Sequence, residues 1–309
     1  HGSTLGVLAI SGNRQRRDIF DTVLNSGEFV SPCYAYRNRL SHESDAEYVA
    51  RLALELEQKI LTLGPARVAA FVAETVVGST SGAVPPQAGY FKAIQAVCKR
   101  HGVLLILDEV MCGLGRTGHF FACQEDDVRP DIITLGKGLA AGYQPISAML
   151  VTEAIHEAIA QGSGSLRNGQ TFAFHATACA TALTVQRIVE EEGLIARVRQ
   201  QGPRFQQMLA EALDGFPHVG DIRGRGLFIG IEWVQEQGCT TPLPPDPTRS
   251  ARIRAHALER GLLCYPMHGT IDGVQGDHVL FAPPFVSADA DLETMVSLFA
   301  EVARHALLH

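Results

Sequence analysis

Residues 102–142, Gly102 to Gly142, read GVLLILDEVMCGLGRTGHFFACQEDDVRPDIITLGKGLAAG, and this run decides the fold. Five apolar residues, Val103 to Leu107, stop abruptly at Asp108 and Glu109. An apolar run of that length without alternation is the pattern of a strand buried on both faces, as in a parallel sheet. A second run, Asp131 to Leu135, stops at Gly136-Lys137-Gly138. An acid and a glycine-flanked lysine therefore stand at the ends of two buried strands. Ligands of open α/β sheets bind at that edge.

The flanking sequence supplies the helices such a sheet requires. Ser44-Asp45-Ala46-Glu47 is a capping box, and Ala46, Val49, Leu52, Ala53, Leu56 and Ile60 recur at helical spacing until Gly64-Pro65. Val68 to Ala73 reads as a buried strand finishing at Glu74. A helix over 89–101 follows, with Phe91, Ile94, Val97 and Cys98 inward and Gly102 as its stop. Strand, helix, strand is the signature of a parallel sheet covered by helices. The segment before Leu40 shows no clear periodicity, and the first six residues show no helix start.

Beyond the central run, Ile146 to Val151 reads as a strand and Glu153 to Ala160 as a short helix. Gln161 to Gln170 is rich in Gly and Ser, as mobile functional loops are. Ala178 to Glu191 and Leu194 to Leu213 read as helices. The pattern then changes to paired strands over 219–225 and 226–233, a Pro-rich loop, a helix from Arg249, a strand over 278–282 and a closing helix over 292–308. The expected division is a large α/β domain over residues 1–193 and a smaller α+β domain over 194–309.

Composition narrows the partners. The formal net charge of -7, with no basic tract to offset it, argues against nucleic acid or an anionic membrane surface. No apolar run approaches the roughly 20 residues of a membrane span. Seven cysteines, odd in number and without a C-x-x-C pair or zinc spacing, predict reduced thiols in a cytoplasmic protein with no metal. Small molecules are the expected partners.

Asp108 can be read as a cap for backbone N–H groups or as a buried anion holding a proton on a heteroaromatic nitrogen. Lys137 can be read as a solvated loop lysine or as an amine able to form a Schiff base. Together they match what pyridoxal phosphate needs: an amine for the aldehyde carbon, and an acid that keeps the pyridine ring cationic. Gly113 to Gly118 (GLGRTG) is a literal G-x-G-x-x-G. It lies several residues past the strand end and no phosphate-binding helix opens after it, so a dinucleotide site is a poor reading.

The stretch LLILDEVMCGLGRTG…PDIITLGKGLAAGYQPISAMLV resembles the class III aminotransferases, pyridoxal-phosphate enzymes of fold type I. The 29-residue spacing from Asp108 to Lys137 suits that family, as do FVAETVVGSTSGAVPP, GQTFAFHATACATAL, DIRGRGLFIGIEW and GDHVLFAPPF. The resemblance implies a mostly parallel sheet with helices on both faces, followed by a smaller C-terminal domain. It implies that Lys137 forms the Schiff base with the cofactor, Asp108 pairs with the ring nitrogen and Val110 packs on the ring face. Glu74 would shape the substrate side, and Thr171 would reach the cofactor phosphate of a neighbouring subunit in a homodimer. The implied activity is transfer of an amino group from an amino donor to a 2-oxo acid. Aminomutases, racemases and decarboxylases share the same Asp and Lys and stay open, as does an inactive fragment that folds and dimerises.

Two departures stand out. In the family a substantial N-terminal portion precedes the equivalent of His1, holding a phosphate-binding Gly/Ser-rich loop and an aromatic residue just before the His-Gly pair, so this chain is expected to begin inside the fold. Many relatives also carry a substrate-binding arginine three residues before a Pro-Pro pair. Leu280 has that place here, leaving Arg223 and Arg225 as substitutes or as structural arginines.

Overall fold

A computed structural model describes residues 1–25 and 27–308. The helices in chain order are α1 (Leu5–Ile10), α2 (Arg14–Arg17), α3 (Ala35–Asn38), α4 (Asp45–Leu63), α5 (Tyr90–His101), α6 (Glu153–Gln161), α7 (Ala176–Glu191), α8 (Leu194–Ala212), α9 (Arg249–Glu259) and α10 (Asp289–Leu308). The strands are β1 (Ala70–Glu74), β2 (Leu104–Asp108), β3 (Ile132–Leu135), β4 (Ala148–Val151), β5 (Val219–Arg225), β6 (Phe228–Trp233), β7 (Tyr265–His268) and β8 (Asp277–Phe281). They form two four-stranded sheets.

The first sheet has the order β1-β2-β3-β4. Its first three strands run parallel, while β4 runs antiparallel to β3. Register sets Glu74 beside Asp108 and Asp108 beside Thr134, so the carboxyl ends of β1 and β2 finish level. The capping box at the start of α4 is formed: Ser44 accepts from the Glu47 N–H at 3.3 Å, and Glu47 accepts from the Ser44 N–H at 2.8 Å. Tyr48, Leu52, Leu56 and Ile60 of α4 then pack with Phe91 and Ile94 of α5 over Leu105 and Leu107 of β2. Burial of these side chains, each contributing about 1.5–3 kcal/mol, fixes the sheet from that side.

The second sheet has the order β5-β6-β8-β7 and is antiparallel throughout. Every residue of β6 and β8 is buried. Its core joins Phe205 and Leu209 of α8, Ile231 and Trp233 of β6, Phe281 of β8 and Phe299 of α10. Trp233 is fully enclosed, stacked on Phe299 with centroids 6.0 Å apart and edge-on to Phe216 at 6.1 Å.

The GLGRTG run joins the two sheets. Leu114, Gly115 and Gly118 all have left-handed backbone, with φ of 57°, 97° and 89°. The turn they make sends the half-buried Arg116 to the carbonyls of Leu227 (3.0 Å) and Pro283 (2.6 Å), over the ring of Phe285. Arg199 of α8 donates to the Gly118 carbonyl at 2.8 Å. A short 3₁₀ turn, Ala122–Gln124, follows instead of a long helix, so the geometry is that of a joint and not of a phosphate cradle.

Two sequence expectations need correction. The N-terminal segment does contain a helix start, because the Thr4 side chain accepts from the Val7 N–H at the head of α1. The short edge strand β7 was not foreseen; it is four residues long and holds Pro266, which an edge strand tolerates and a central one does not. Among the described residues, no helix is long and apolar enough to cross a membrane.

Candidate active site

Strand alternation separates the two acids that end the Val103–Leu107 run. Glu109 is fully buried and accepts from the N–H groups of Ala122 (2.7 Å) and Cys123 (2.8 Å) and from the Thr75 hydroxyl (3.0 Å). All of its acceptor capacity points into structure. Asp108 differs. Its Oδ1 accepts from the Val110 N–H at 2.9 Å, which fixes the carboxylate, while Oδ2 faces His1.

Lys137 arrives from β3 through Gly136, the first residue past the strand. A Cβ on Gly136 would stand 3.3 Å from Val110 Cγ1, so the absence of a side chain there lets the lysine turn pack on Val110. Lys137 itself has a left-handed φ of 40°. His1 lies between the acid and the amine: its backbone nitrogen is 2.8 Å from Asp108 Oδ2, and its Nε2 is 2.5 Å from Lys137 Nζ. Asp108 and Lys137 thus face one another across the width of a single residue. Loss of surrounding water lowers the Lys137 pKa; Glu74 and Asp108 act the other way, and Arg16 acts in the same direction as desolvation.

Glu74 completes the acidic edge. Its Oε1 accepts from the Gly78 N–H at 3.1 Å. Burial first, and the neighbouring Asp108 second, push its carboxyl up to about 7, against partial relief from that N–H and from Lys137. Asp108, Glu74, Val110 and Lys137 are therefore brought together. Thr171 is not among them: it is exposed, next to Phe172 and close to Phe174, which are 79% and 94% exposed.

Neither substitute arginine is free. Arg223 is buried and donates to Glu232 (2.6 Å), Asp221 (3.0 Å), Gly82 O (2.9 Å) and Ser81 O (2.5 Å). Arg225 holds both oxygens of Asp126, at 2.9 and 3.1 Å. Both are structural. Leu280 packs in an apolar cluster with Val76, Ala83, Cys112 and Phe228.

Two residues beside the site carry no motif in the sequence. The Thr134 hydroxyl, on the strand next to Asp108, is buried without a partner among the described residues. Gln186 of α7 donates from Nε2 to the carbonyls of Gly138 (3.2 Å) and Leu139 (3.0 Å), directly after Lys137. Its only trace in the sequence is a lone amide after the apolar ALTV stretch.

A parallel sheet whose carboxyl edge presents an acid and a lysine on either side of one gap, with a second antiparallel sheet joined to it, is the architecture of the fold type I pyridoxal-phosphate enzymes. The acid turns Oδ2 to the cationic nitrogen of His1, the amine stands at the other end of that residue and Val110 lies beside the amine's turn, so the residues present fit a ring with a cationic nitrogen at one end and a carbon for the amine at the other. Comparison with known proteins is specific. The profile of the class-III aminotransferases matches residues 1–303, and the chain belongs to that family.

An aminotransferase of Gibberella zeae is 42% identical over 310 residues, covering 99% of this chain and 61% of that protein. An uncharacterised aminotransferase of Schizosaccharomyces pombe is 41% identical over 97% of this chain and 66% of its own length. The chain thus spans a little under two thirds of these relatives. The crystal structure of the omega transaminase from Pseudomonas jessenii in complex with PMP superposes with a TM-score of 0.90 at 34% identity, covering 100% of this chain and 66% of that one.

Proposed function

We propose that this chain forms the catalytic portion of a pyridoxal-phosphate-dependent aminotransferase that moves an amino group from an amino donor to a 2-oxo acid. The observation that carries the reading is the opposition of Asp108 and Lys137 across one gap at the sheet edge. Bound there, pyridoxal phosphate supplies the electron sink that makes a bond at the substrate's α-carbon breakable.

The chain's own residues do the rest. Asp108, held by the Val110 N–H, keeps a proton on the ring nitrogen. Lys137 Nζ, with its pKa lowered by desolvation, would accept the proton from the substrate's α-carbon and hold it for return. Val110 supports the ring face and Glu74 lines the substrate side. Thr171 serves the cofactor phosphate of a second subunit. A homodimer is supported by large apolar side chains left open, Tyr143 after the lysine turn at 77% and Phe172 and Phe174 beside Thr171 at 79% and 94% exposed. Free cysteines throughout the described residues agree with a cytoplasmic setting. The division at residue 193 belongs to the same proposal and is supported by the second core, whose buried residues run from Val198 to Ala306.

The test is the holoenzyme with Lys137→Ala. Borohydride should fix the cofactor to Lys137 in the parent and to nothing in the variant, as read by peptide mass. Turnover should fall by about 10²–10⁴-fold, the usual worth of a positioned acid–base group. Normal transamination by the variant sinks the assignment. Consumption of one equivalent of oxo acid per amine, with a new amino acid formed, separates this reaction from racemisation or decarboxylation.

A further inference from the structure

The turn that carries Lys137 is held in an unfavourable backbone shape. Lys137 and Ala141 both sit in the left-handed region, at φ of 40° and 50°, and neither is glycine. A non-glycine residue in that region is strained and persists only where its surroundings enforce it. Within the turn, the Leu139 N–H donates to the Gly136 carbonyl at 2.9 Å. That leaves the carbonyls of Gly138 and Leu139 facing α7, and Gln186 meets both.

The amide suits the task in a way other side chains do not. Its NH₂ has two donors, one for each carbonyl, and turning it over would bring its oxygen against two acceptors, so its orientation is fixed by the contacts. Gln186 Oε1, on the other side, is buried and has no partner among the described residues. A half-satisfied buried amide is unfavourable taken alone, and its two bonds to the lysine turn offset that.

We propose that Gln186 is a positioning residue for Lys137, clamping the 137–139 turn so that the amine stays aligned with the gap opposite Asp108. The proposal rests on Lys137 being the cofactor lysine. The lysine side chain is a long lever on this turn, and a misplacement of about 1 Å at a reacting group can cost roughly 10²-fold in rate.

The test uses the holoenzyme with Gln186→Met, which keeps the length and loses both donors, and Gln186→Glu, which keeps the shape and sets a carboxylate against the two carbonyls. The absorbance of the lysine-bound cofactor is titrated against pH, and the reductive methylation rate of Lys137 is measured in the cofactor-free protein. Both variants should move the absorbance midpoint and the methylation rate, and lower kcat by about 10–100-fold. Donor KM should stay within about threefold and the thermal midpoint within about 4 °C. An unchanged midpoint and methylation rate, or a loss of activity that only tracks thermal stability, overturns the inference. If borohydride fixes no cofactor on Lys137 in the parent, the reading of Lys137 falls as well; if it does and both variants match the parent, only the role of Gln186 falls.

Discussion

The carboxylates inside the second sheet and the two at the carboxyl edge of the first, Glu74 and Asp108, are held in different ways. In the second sheet, Glu232 is fully buried and engaged on both oxygens, by Arg223 and Tyr34 on one and by Arg37 on the other. Asp277 of β8 is likewise paired with Arg249 of α9. At the edge of the first sheet, Glu74 has a single backbone N–H, and Asp108 has the Val110 N–H on Oδ1 and the His1 nitrogen on Oδ2, with no arginine on either acid among the described residues. Buried carboxylates are unfavourable unless paired. Where the pairing is complete the acid is part of the framework, and where it is left open beside a lysine the acid is part of a site.

Breaking the closed side should have the largest effect. Arg223→Met leaves Glu232 with Arg37 as its one cation, leaves Asp221 without its Arg223 partner, and frees Ser81 O and Gly82 O. Loss of one partner of a buried ion pair costs about 3–5 kcal/mol. A urea titration should show that loss, and a change below about 1 kcal/mol would mean that the network is not what holds the second sheet.

On the open side the expected loss is in rate and not in stability. Asp108→Asn keeps the size of the side chain but removes the charge that holds a proton on the ring, and turnover should fall by about 10²–10³-fold, the range for a removed electrostatic contact. Borohydride should still fix the cofactor on Lys137. Full activity in this variant would erase the distinction between the two sheets.

Glu74 tests the same contrast through pH. Its folded pKa of about 7 lies above the ordinary 4.5, so between those values the folded protein keeps a proton that the unfolded chain has lost. Stability therefore falls as pH rises through this window, by about 3 kcal/mol in the cofactor-free protein. Glu74→Gln should flatten that fall, and an unchanged slope would show that the proton is held elsewhere. The smallest change is expected at Thr75→Val, which removes one of three donors from the closed carboxylate of Glu109. A loss of about 1–2 kcal/mol in thermal unfolding is the predicted cost; no loss at all would mean that the other two donors suffice.

Much of the first sheet was legible because its signals are local. The capping box at Ser44, the stop at Gly102 and the apolar run into Asp108 each declare themselves within a few residues, and the structure places α4, α5 and β2 there. The helix at Leu5 was missed although its cap, Thr4, is local too; six residues give too short a period to stand out. The partners of Arg223 were beyond reach for another reason. Gly82 is 141 residues away, and Tyr34 lies 198 residues from Glu232, so only the folded chain brings them together. At the site, the acid and the lysine could be named from strand ends. The left-handed turn under Lys137 and the Gln186 amide behind it belong to backbone geometry, which no residue type announces.

Trp233 is the only tryptophan of the chain, and it is sealed between Phe216 and Phe299 in the second core. Its fluorescence is therefore a gauge of that core alone, silent about the sheet edge that holds Lys137. Circular dichroism sees both halves. Coincident fluorescence and dichroism curves on heating would show that the two sheets melt as one cooperative unit, and curves that separate would rank them by stability without a single added label.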